Sequence, residues 1–327
     1  MFQSESEFVG WLQRFWRMRT PRLSLGIGDD AAMIRVTGGH ELILTTDLSI
    51  EGVHFRRGLH PPRSVGHRAL ARGLSDIAAM GGTPRFVLVS LALSEKTPFE
   101  WVRSFYAGVR SLARLMRVTI IGGDTALVAG GSFTDIVVAG EAPAGRALRR
   151  TGTRPGDQVF VSGRLGLSAL GLRLLKSRSA TALSRSAAVR KHLYPIPRIE
   201  LGKLLMSNGL ASSLIDLSDG LSSDLARLCS TNAVGAALWA AKIPRPMKSR
   251  LTELTAPQPL DLALNGGEDY ELLFTARPAT LNRIPKQFRG LPLHHIGEIT
   301  RSKGLSIVMP DGITHPLEIG GYDHFRK

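Results

Sequence analysis

The chain has 327 residues, 43% of them hydrophobic, enough for one large or two ordinary domains and too apolar for a disordered polymer. Its 42 Lys and Arg against 27 Asp and Glu give a formal charge of +15, and its one cysteine, Cys229, excludes an internal disulfide framework and a thiolate metal cage. No apolar run reaches the ~20 residues of a membrane span, and the N-terminal MFQSESEFVG lacks the basic-then-apolar order of a secretory signal, so a cytoplasmic location is expected.

Residues 4–17 predict an amphipathic helix. AAMIRV and ELILTTDLSI predict strands around the turn TGGH at 37–40. Residues 62–80 read as a helix opened by Pro61-Pro62 and closed by Gly81-Gly82. RFVLVSLAL predicts a buried strand, 98–116 a helix, and RVTIIGGD a strand running into a glycine turn; FTDIVVAGEA at 133–142 is a further strand. LRRTGTRPGD at 148–157 breaks the pattern and sets the boundary between domains 1–148 and 149–327. Beyond it come strand QVFVSG, helix 165–178 and a Ser/Ala/Arg-rich stretch at 177–190 that reads as a helix or a surface segment. Strand SSLIDLS then leads into helix DGLSSDLARLCS, NAVGAALWA is a strand, and NGGEDYELLFTA is a glycine turn entering a strand. Both halves mix strands with helices, so two α/β domains with mixed sheets are expected. There is no short-period repeat.

The basic residues cluster at 14–22, 56–72 and 146–154 and read as a solvated face. A nucleic-acid surface is the rival reading, but only 6% of residues are aromatic and no recognised binding motif is present. The acidic residues are placed differently. Asp29, Asp30, Asp47, Asp76, Asp124, Asp216, Asp219, Asp224 and Asp269 all lie in apolar stretches with Gly or Ser nearby. Neighbouring carboxylates withdrawn from water repel one another and need a cation, and hard Mg²⁺ takes such oxygen donors.

The usual signatures of phosphate chemistry are missing: no Walker A loop, no kinase H-R-D and D-F-G pair, no G-x-G-x-x-G. There is no H-E-x-x-H, and His294-His295 reads as an ordinary pair. Six stretches remain: GIGDDAA, TTDLSIEGVHF, GLSDIAAMGG, IIGGDTA, DLSDGLSSDL and NGGEDYEL. Alone, Asp47 reads as a turn residue, Asp76 as a helix-surface residue and Asp219 as a helix cap. Together they share one feature, oxygen donors beside glycine or hydroxyl groups. Glycine lets backbone N–H groups approach an anion, and helix N-termini favour one.

These stretches, with GGEDYELLF and the terminal GGYDHF, resemble the thiamine-monophosphate kinase family, in the superfamily that includes aminoimidazole ribonucleotide synthetase. They occur in that family's order over residues 26–325. The resemblance implies a two-domain fold of that superfamily and phosphoryl transfer from ATP, as co-substrate, to thiamine monophosphate. It also implies several Mg²⁺ ions and a homodimer whose N-terminal domains pair through their sheets. Asp30, Thr45, Thr46, Asp47, Asp76, Asp124, Asp216 and Asp219 resemble the family's Mg²⁺ ligands, with Asp29 beside Asp30 in a supporting or capping role. Gly123, Asp124, Arg150, Ser218 and Tyr106 resemble ATP-binding positions. His54, Glu268 and Tyr322 resemble substrate-binding positions. Asp47 and Asp124 are expected to be the most critical, with no general base. Arg72 is a departure, a bulky charge on the Asp76 helix; Tyr322 stands where many relatives carry tryptophan. A selenophosphate synthetase would want a reactive cysteine near the N-terminus, and a ribonucleotide synthetase would lack the GGEDYELLF and GGYDHF ending.

Overall fold

The chain divides into two units, Met1–Ile77 with Gly82–Gly145, and Ala78–Gly81 with Arg146–Lys327. The computed structural model describes residues 5–16, 20–27, 31–177, 186–247 and 258–324. Asp29 and Asp30, positions 4, 17 and 178 at predicted helix ends, residues 178–185 of the Ser/Ala/Arg-rich stretch, and Phe325 lie outside the described residues.

The first unit is built from α1 (Glu5–Phe15), β1 (Leu23–Leu25), β2 (Met33–Ile34), β3 (His40–Ile50), α2 (Pro62–Ala79), β4 (Thr83–Ser94), α3 (Phe99–Met116), β5 (Thr119–Val128) and β6 (Phe133–Pro143). The strands β3-β6-β4-β5 form one sheet in that order, antiparallel except for the parallel β4–β5 pair. α3 shows why such a sequence is helical. Glu100 lies in its first turn, Arg117 closes it in the left-handed region at φ 56°, and Trp101, Phe105, Val109 and Leu112 line a buried stripe at helical spacing. α2 and α3 meet backbone to backbone, because a Cβ on Gly66 would lie 2.1 Å from the Phe105 carbonyl and one on Gly108 1.9 Å from that of Arg63.

Alternation sorts the residues of β3. Ile43, Thr45, Asp47 and Ser49 face α2, whereas Leu42, Leu44, Thr46, Leu48 and Ile50 lie on the opposite face and are exposed. Two expectations change in this unit. The AAMIRV stretch contributes only Met33–Ile34, and these pair with β1 rather than with β3. IIGGD is not a turn: β5 runs straight through it, with a register shift opposite Val87/Leu88. Gly123 sits there at φ 151°, where an added Cβ would lie 1.9 Å from the Val89 carbonyl, so this glycine serves close backbone approach and not chain reversal.

The second unit contains β7 (Gln158–Ser162), α4 (Leu167–Lys176), α5 (Ala187–Leu193), α6 (Ile199–Ser207), β8 (Ser213–Leu217), α7 (Leu221–Thr231), β9 (Gly235–Trp239), α8 (Pro259–Asn265), β10 (Glu271–Ala276), β11 (Gln287–Phe288), β12 (Leu291–Thr300), β13 (Gly304–Val308) and β14 (Thr314–Pro316). Its sheet runs β14-β13-β9-β12-β7-β10-β8, with β11 on β12; only β13–β9 is parallel. β8 and β10 are buried along their whole length, which is why SLIDL and ELLFTA read as nearly continuous apolar runs. Val159, Val161, Ile215, Leu217 and Leu273 from the sheet pack with Leu221, Leu225 and Leu228 of α7 to make the main core. Both units are therefore mixed α/β, as the alternation of strands and helices predicted. No helix among the described residues is long and apolar enough to cross a membrane.

Candidate active site

In the first unit, α2 delivers Asp76 and Arg72, one helical turn apart, onto β3. Thr45 Oγ1 donates to Asp76 Oδ2 in a short hydrogen bond, and Arg72 Nη2 lies 3.5 Å from Asp47 Oδ1. Burial drives the Asp47 carboxyl up to about 6, with Asp76 adding to the rise and Arg72 opposing it. Arg72 thus faces this carboxylate pair. Thr46, on the opposite face, donates to Asp135 Oδ1 at 2.6 Å. The register lines up Leu48, Asp135, Ser90 and Asp124 across all four strands on that face. Asp124 is exposed there and accepts the Thr125 N–H at 2.8 Å. The structure therefore groups Thr45, Asp47 and Asp76 on the helix side, and Thr46, Asp124 and Asp135 on the other.

A cavity of about 1200 Å³ spreads over this second face and round the β5 edge. Gly26, Ile27, Ala31 and Ala32, which flank the acidic pair Asp29-Asp30, line this cavity together with Gly122, Gly123, Asp124 and Thr125. Tyr106 also lines it, buried against Trp11, and burial raises its phenol far above the ordinary value. His54 lies in the turn after β3, where its Nδ1 accepts the Ile50 N–H at 3.0 Å.

The second unit gathers three of the motif stretches at one loop. Buried Asp216 stands on β8, and Ser218-Asp219-Gly220 lead into α7. The Glu268 N–H donates to the Ser218 carbonyl at 2.7 Å, and the Tyr322 N–H to the Asp219 carbonyl at 3.0 Å. Small residues permit this: a Cβ on Gly267 would lie 2.7 Å from the Ser218 carbonyl, and one on Gly321 2.5 Å from that of Asp219. The Tyr322 ring is 48% exposed, edge-on to His324 at 4.8 Å. Asp219 pairs with Arg227. The Arg150 side chain is exposed, and its carbonyl accepts from Asn232 Nδ2 at 2.7 Å.

Several residues that shape these sites lie in or beside the motif stretches without a site role expected for them from the sequence. Asp224 Oδ2 accepts the N–H groups of Ser218, Asp219 and Gly220 at 3.1, 3.1 and 3.2 Å, and so sets the loop. Burial and the charge of Asp219 push the Asp224 carboxyl up to about 7, against these bonds and Arg227. Asp269 accepts from Gly166 N at 2.5 Å and Ser168 N at 3.0 Å at the start of α4, with its carboxyl raised by burial to about 6. Glu271 is buried with Lys191, Arg198 and the Ser162 hydroxyl. Asp135 had a signal, a carboxylate near the start of the apolar strand FTDIVVAGEA; Lys191 and Arg198 had none. Among the described residues, no three His, Cys, Asp or Glu side chains are grouped for a metal ion.

The family described as "AIR synthase related protein, N-terminal domain" matches residues 28–142, and its C-terminal-domain counterpart matches residues 154–310. The thiamine-monophosphate kinase of Escherichia coli strain K12 is 38% identical over 329 residues, covering 98% of each chain. That of Bacillus subtilis strain 168 is 35% identical over 310 residues, 93% of this chain and 94% of its own. Among solved structures, thiamine-monophosphate kinase from Stenotrophomonas maltophilia K279a has a TM-score of 0.79 at 31% identity, covering 95% of this chain and 97% of that one. "AaThiL complexed with AMPPCP and TMP" has a TM-score of 0.76 at 31% identity, covering 98% and 97%. The hydrogenase maturation protein HypE shares the fold at 19% identity and a TM-score of 0.76. With both domains matched in order and relatives aligned along nearly its whole length, the chain belongs to the thiamine-monophosphate kinase family of AIR synthase related proteins.

Proposed function

We propose that this protein transfers the γ-phosphoryl group of ATP to the phosphate of thiamine monophosphate, giving thiamine diphosphate and ADP. The observation that carries the reading is the loop Ser218-Asp219, which receives the backbone of both Glu268 and Tyr322. Groups suited to phosphate and to an organic cation thus converge within one unit. A structural relative complexed with AMPPCP and TMP supports the same pair of ligands.

Asp30, Thr45, Thr46, Asp47, Asp76, Asp124, Asp216 and Asp219 are the residues we assign to Mg²⁺. The donor set fits: all are hard oxygen donors, and Asp47 and Asp76 face one another with a guanidinium 3.5 Å from Asp47, a repulsion that a divalent cation relieves. Mg²⁺ characteristically uses one or two carboxylates and completes its shell with water and substrate phosphates, which suits the Asp47–Asp76 pair. Once bound, it supplies neutralisation of two polyanions. Gly123, Arg150, Ser218 and Tyr106 are assigned to ATP, and His54, Glu268 and Tyr322 to thiamine monophosphate. The exposed Tyr322 ring offers its face to a thiazolium by stacking and cation–π attraction. The acceptor phosphate has its second pKa at about 6, so it arrives largely ionised and needs no general base. Positioning and charge stabilisation carry the rate.

We also propose a cytoplasmic homodimer formed through the β3 face. Leu44 is 63% exposed and Leu48 49% exposed on an edge strand, and such a strip calls for cover. Sedimentation at micromolar concentration should give twice the chain mass of 35.4 kDa. The activity itself is read by ³¹P NMR of protein, Mg²⁺, ATP and thiamine monophosphate. Thiamine diphosphate and ADP should appear together. Release of inorganic phosphate with thiamine monophosphate unchanged would overturn the reading.

A further inference from the structure

We propose that His192, seated on Ser168, is a positioning residue that aims the Glu268 carboxylate at the organic end of the substrate. The inference rests on the reading above that Glu268 meets thiamine monophosphate. His192 is 1% exposed, near the end of α5. Its Nδ1 lies 3.0 Å from Ser168 Oγ and 3.6 Å from Glu268 Oε2, so a proton on that nitrogen faces hydroxyl and carboxylate together. Ser168 is itself held, because its N–H donates to Asp269 Oδ1 at 3.0 Å. α5 packs close against α4 at this point: a Cβ on Gly171 would lie 2.2 Å from the Ala188 carbonyl and 2.9 Å from the His192 Cβ.

Glu268 needs such support. It is a non-glycine residue at φ 65°, and Tyr270 two positions on is at φ 48°. Its backbone is fixed by the bond to Ser218, but its side chain is partly exposed and long enough to adopt several rotamers. The three acids of GGEDYE are each met by α4 or α5: Asp269 by the N–H groups at the start of α4, Glu271 by Lys191, and Glu268 by His192. Asp269 and Glu271 are locked and buried. Glu268 alone keeps an exposed edge, with 26% of its side chain accessible, and His192 determines which way that edge points. A second layer of this kind holds a binding group in one geometry before the ligand arrives.

The test is a double-mutant cycle read in KM for each substrate. His192→Leu should raise the KM for thiamine monophosphate about five- to tenfold, leaving the KM for ATP unchanged. His192→Asn places an amide near the Nδ1 position and should recover most of the loss, and Ser168→Ala should raise the same KM about twofold. In a Glu268→Gln background, His192→Leu should change the KM less than about twofold, because the residue it positions has already been altered. A purely structural histidine would instead lower the melting temperature and affect both substrates alike, overturning the proposal. Independent, multiplying effects of His192→Leu and Glu268→Gln would overturn it too. If Glu268→Gln leaves the KM for thiamine monophosphate unchanged, the reading of Glu268 fails first and the role of His192 falls with it. Should His192→Leu not fold, His192→Asn and Ser168→Ala in the two Glu268 backgrounds separate coupled from independent effects in the same way.

Discussion

Asp47 and Glu271 are both withdrawn from water, yet the molecule treats them in opposite ways. Glu271 is fully buried and meets Lys191, Arg198 and a serine hydroxyl; burial opposes ionisation, but the two cations hold its carboxyl below the usual range. Asp47 meets one guanidinium at 3.5 Å and faces a second carboxylate, and its carboxyl rises to about 6. One acid has its counter-charge built into the fold; the other is under-compensated. Under-compensation of this kind is what a bound cation would relieve, and it distinguishes Asp47 from Glu271.

The sharpest way to break that contrast is to neutralise each acid. Asp47→Asn should cut turnover about a thousandfold, roughly 4 kcal/mol of transition-state stabilisation, while the melting temperature holds or rises. Asp124→Asn should behave likewise. Near-normal kcat in either folded variant at saturating Mg²⁺ would show that the carboxylate is not part of the phosphoryl-transfer machinery. Glu271→Gln should do the reverse. It strands Lys191 and Arg198 and should cost about 3 kcal/mol of stability, seen as a lower midpoint in urea unfolding, with residual activity in the fraction that stays folded.

Glu141 extends the contrast to acid stability. Burial raises its pKa, but hydrogen bonds from Thr37 and Arg85 and the charge of Arg22 win, and its carboxyl falls from 4.5 to about 2. A depressed folded pKa stabilises fully above the unfolded value and loses that contribution as pH falls from 4.5 towards 2. Glu141→Gln should therefore lower stability by about 2 kcal/mol at pH 7 and flatten the decline in that acid window. Parallel wild-type and mutant curves below pH 4.5 would remove Glu141 from the account. The smallest effect belongs to Tyr322. Tyr322→Ala should raise the KM for thiamine monophosphate about two- to thirtyfold, from roughly 0.5–2 kcal/mol of stacking and cation–π attraction. Tyr322→Trp should be tolerated, and equal losses for both substrates would mark the ring as structural.

Much of this was legible in the chain. β3 and β4 announce themselves because sheet period and apolar alternation are local properties, and α3 because its stripe and its ends are local too. The glycines of IIGGD misled because glycine marks both chain reversal and close backbone approach; only the neighbouring Val89 carbonyl decides between them. AAMIRV was legible as extended, but its partner β1 lies eight or more residues upstream in a short stretch with little pattern of its own.

By itself, the sequence determined the alternation of strands and helices, the ordered acidic stretches that mark the family, and the kind of donor, oxygen beside glycine or hydroxyl. All of these follow from local pattern and composition. Tertiary structure alone decided which face each donor takes. Thr45 and Thr46 are neighbours in the chain but sit on opposite sides of a sheet, one bonded to Asp76 and the other to Asp135. It also decided which acids are compensated: Lys191 lies 80 residues from Glu271 and Arg72 lies 25 from Asp47 (72 − 47), separations at which no local pattern operates. Charge pairing acts through space, so the sequence supplies the charges and the fold chooses their partners.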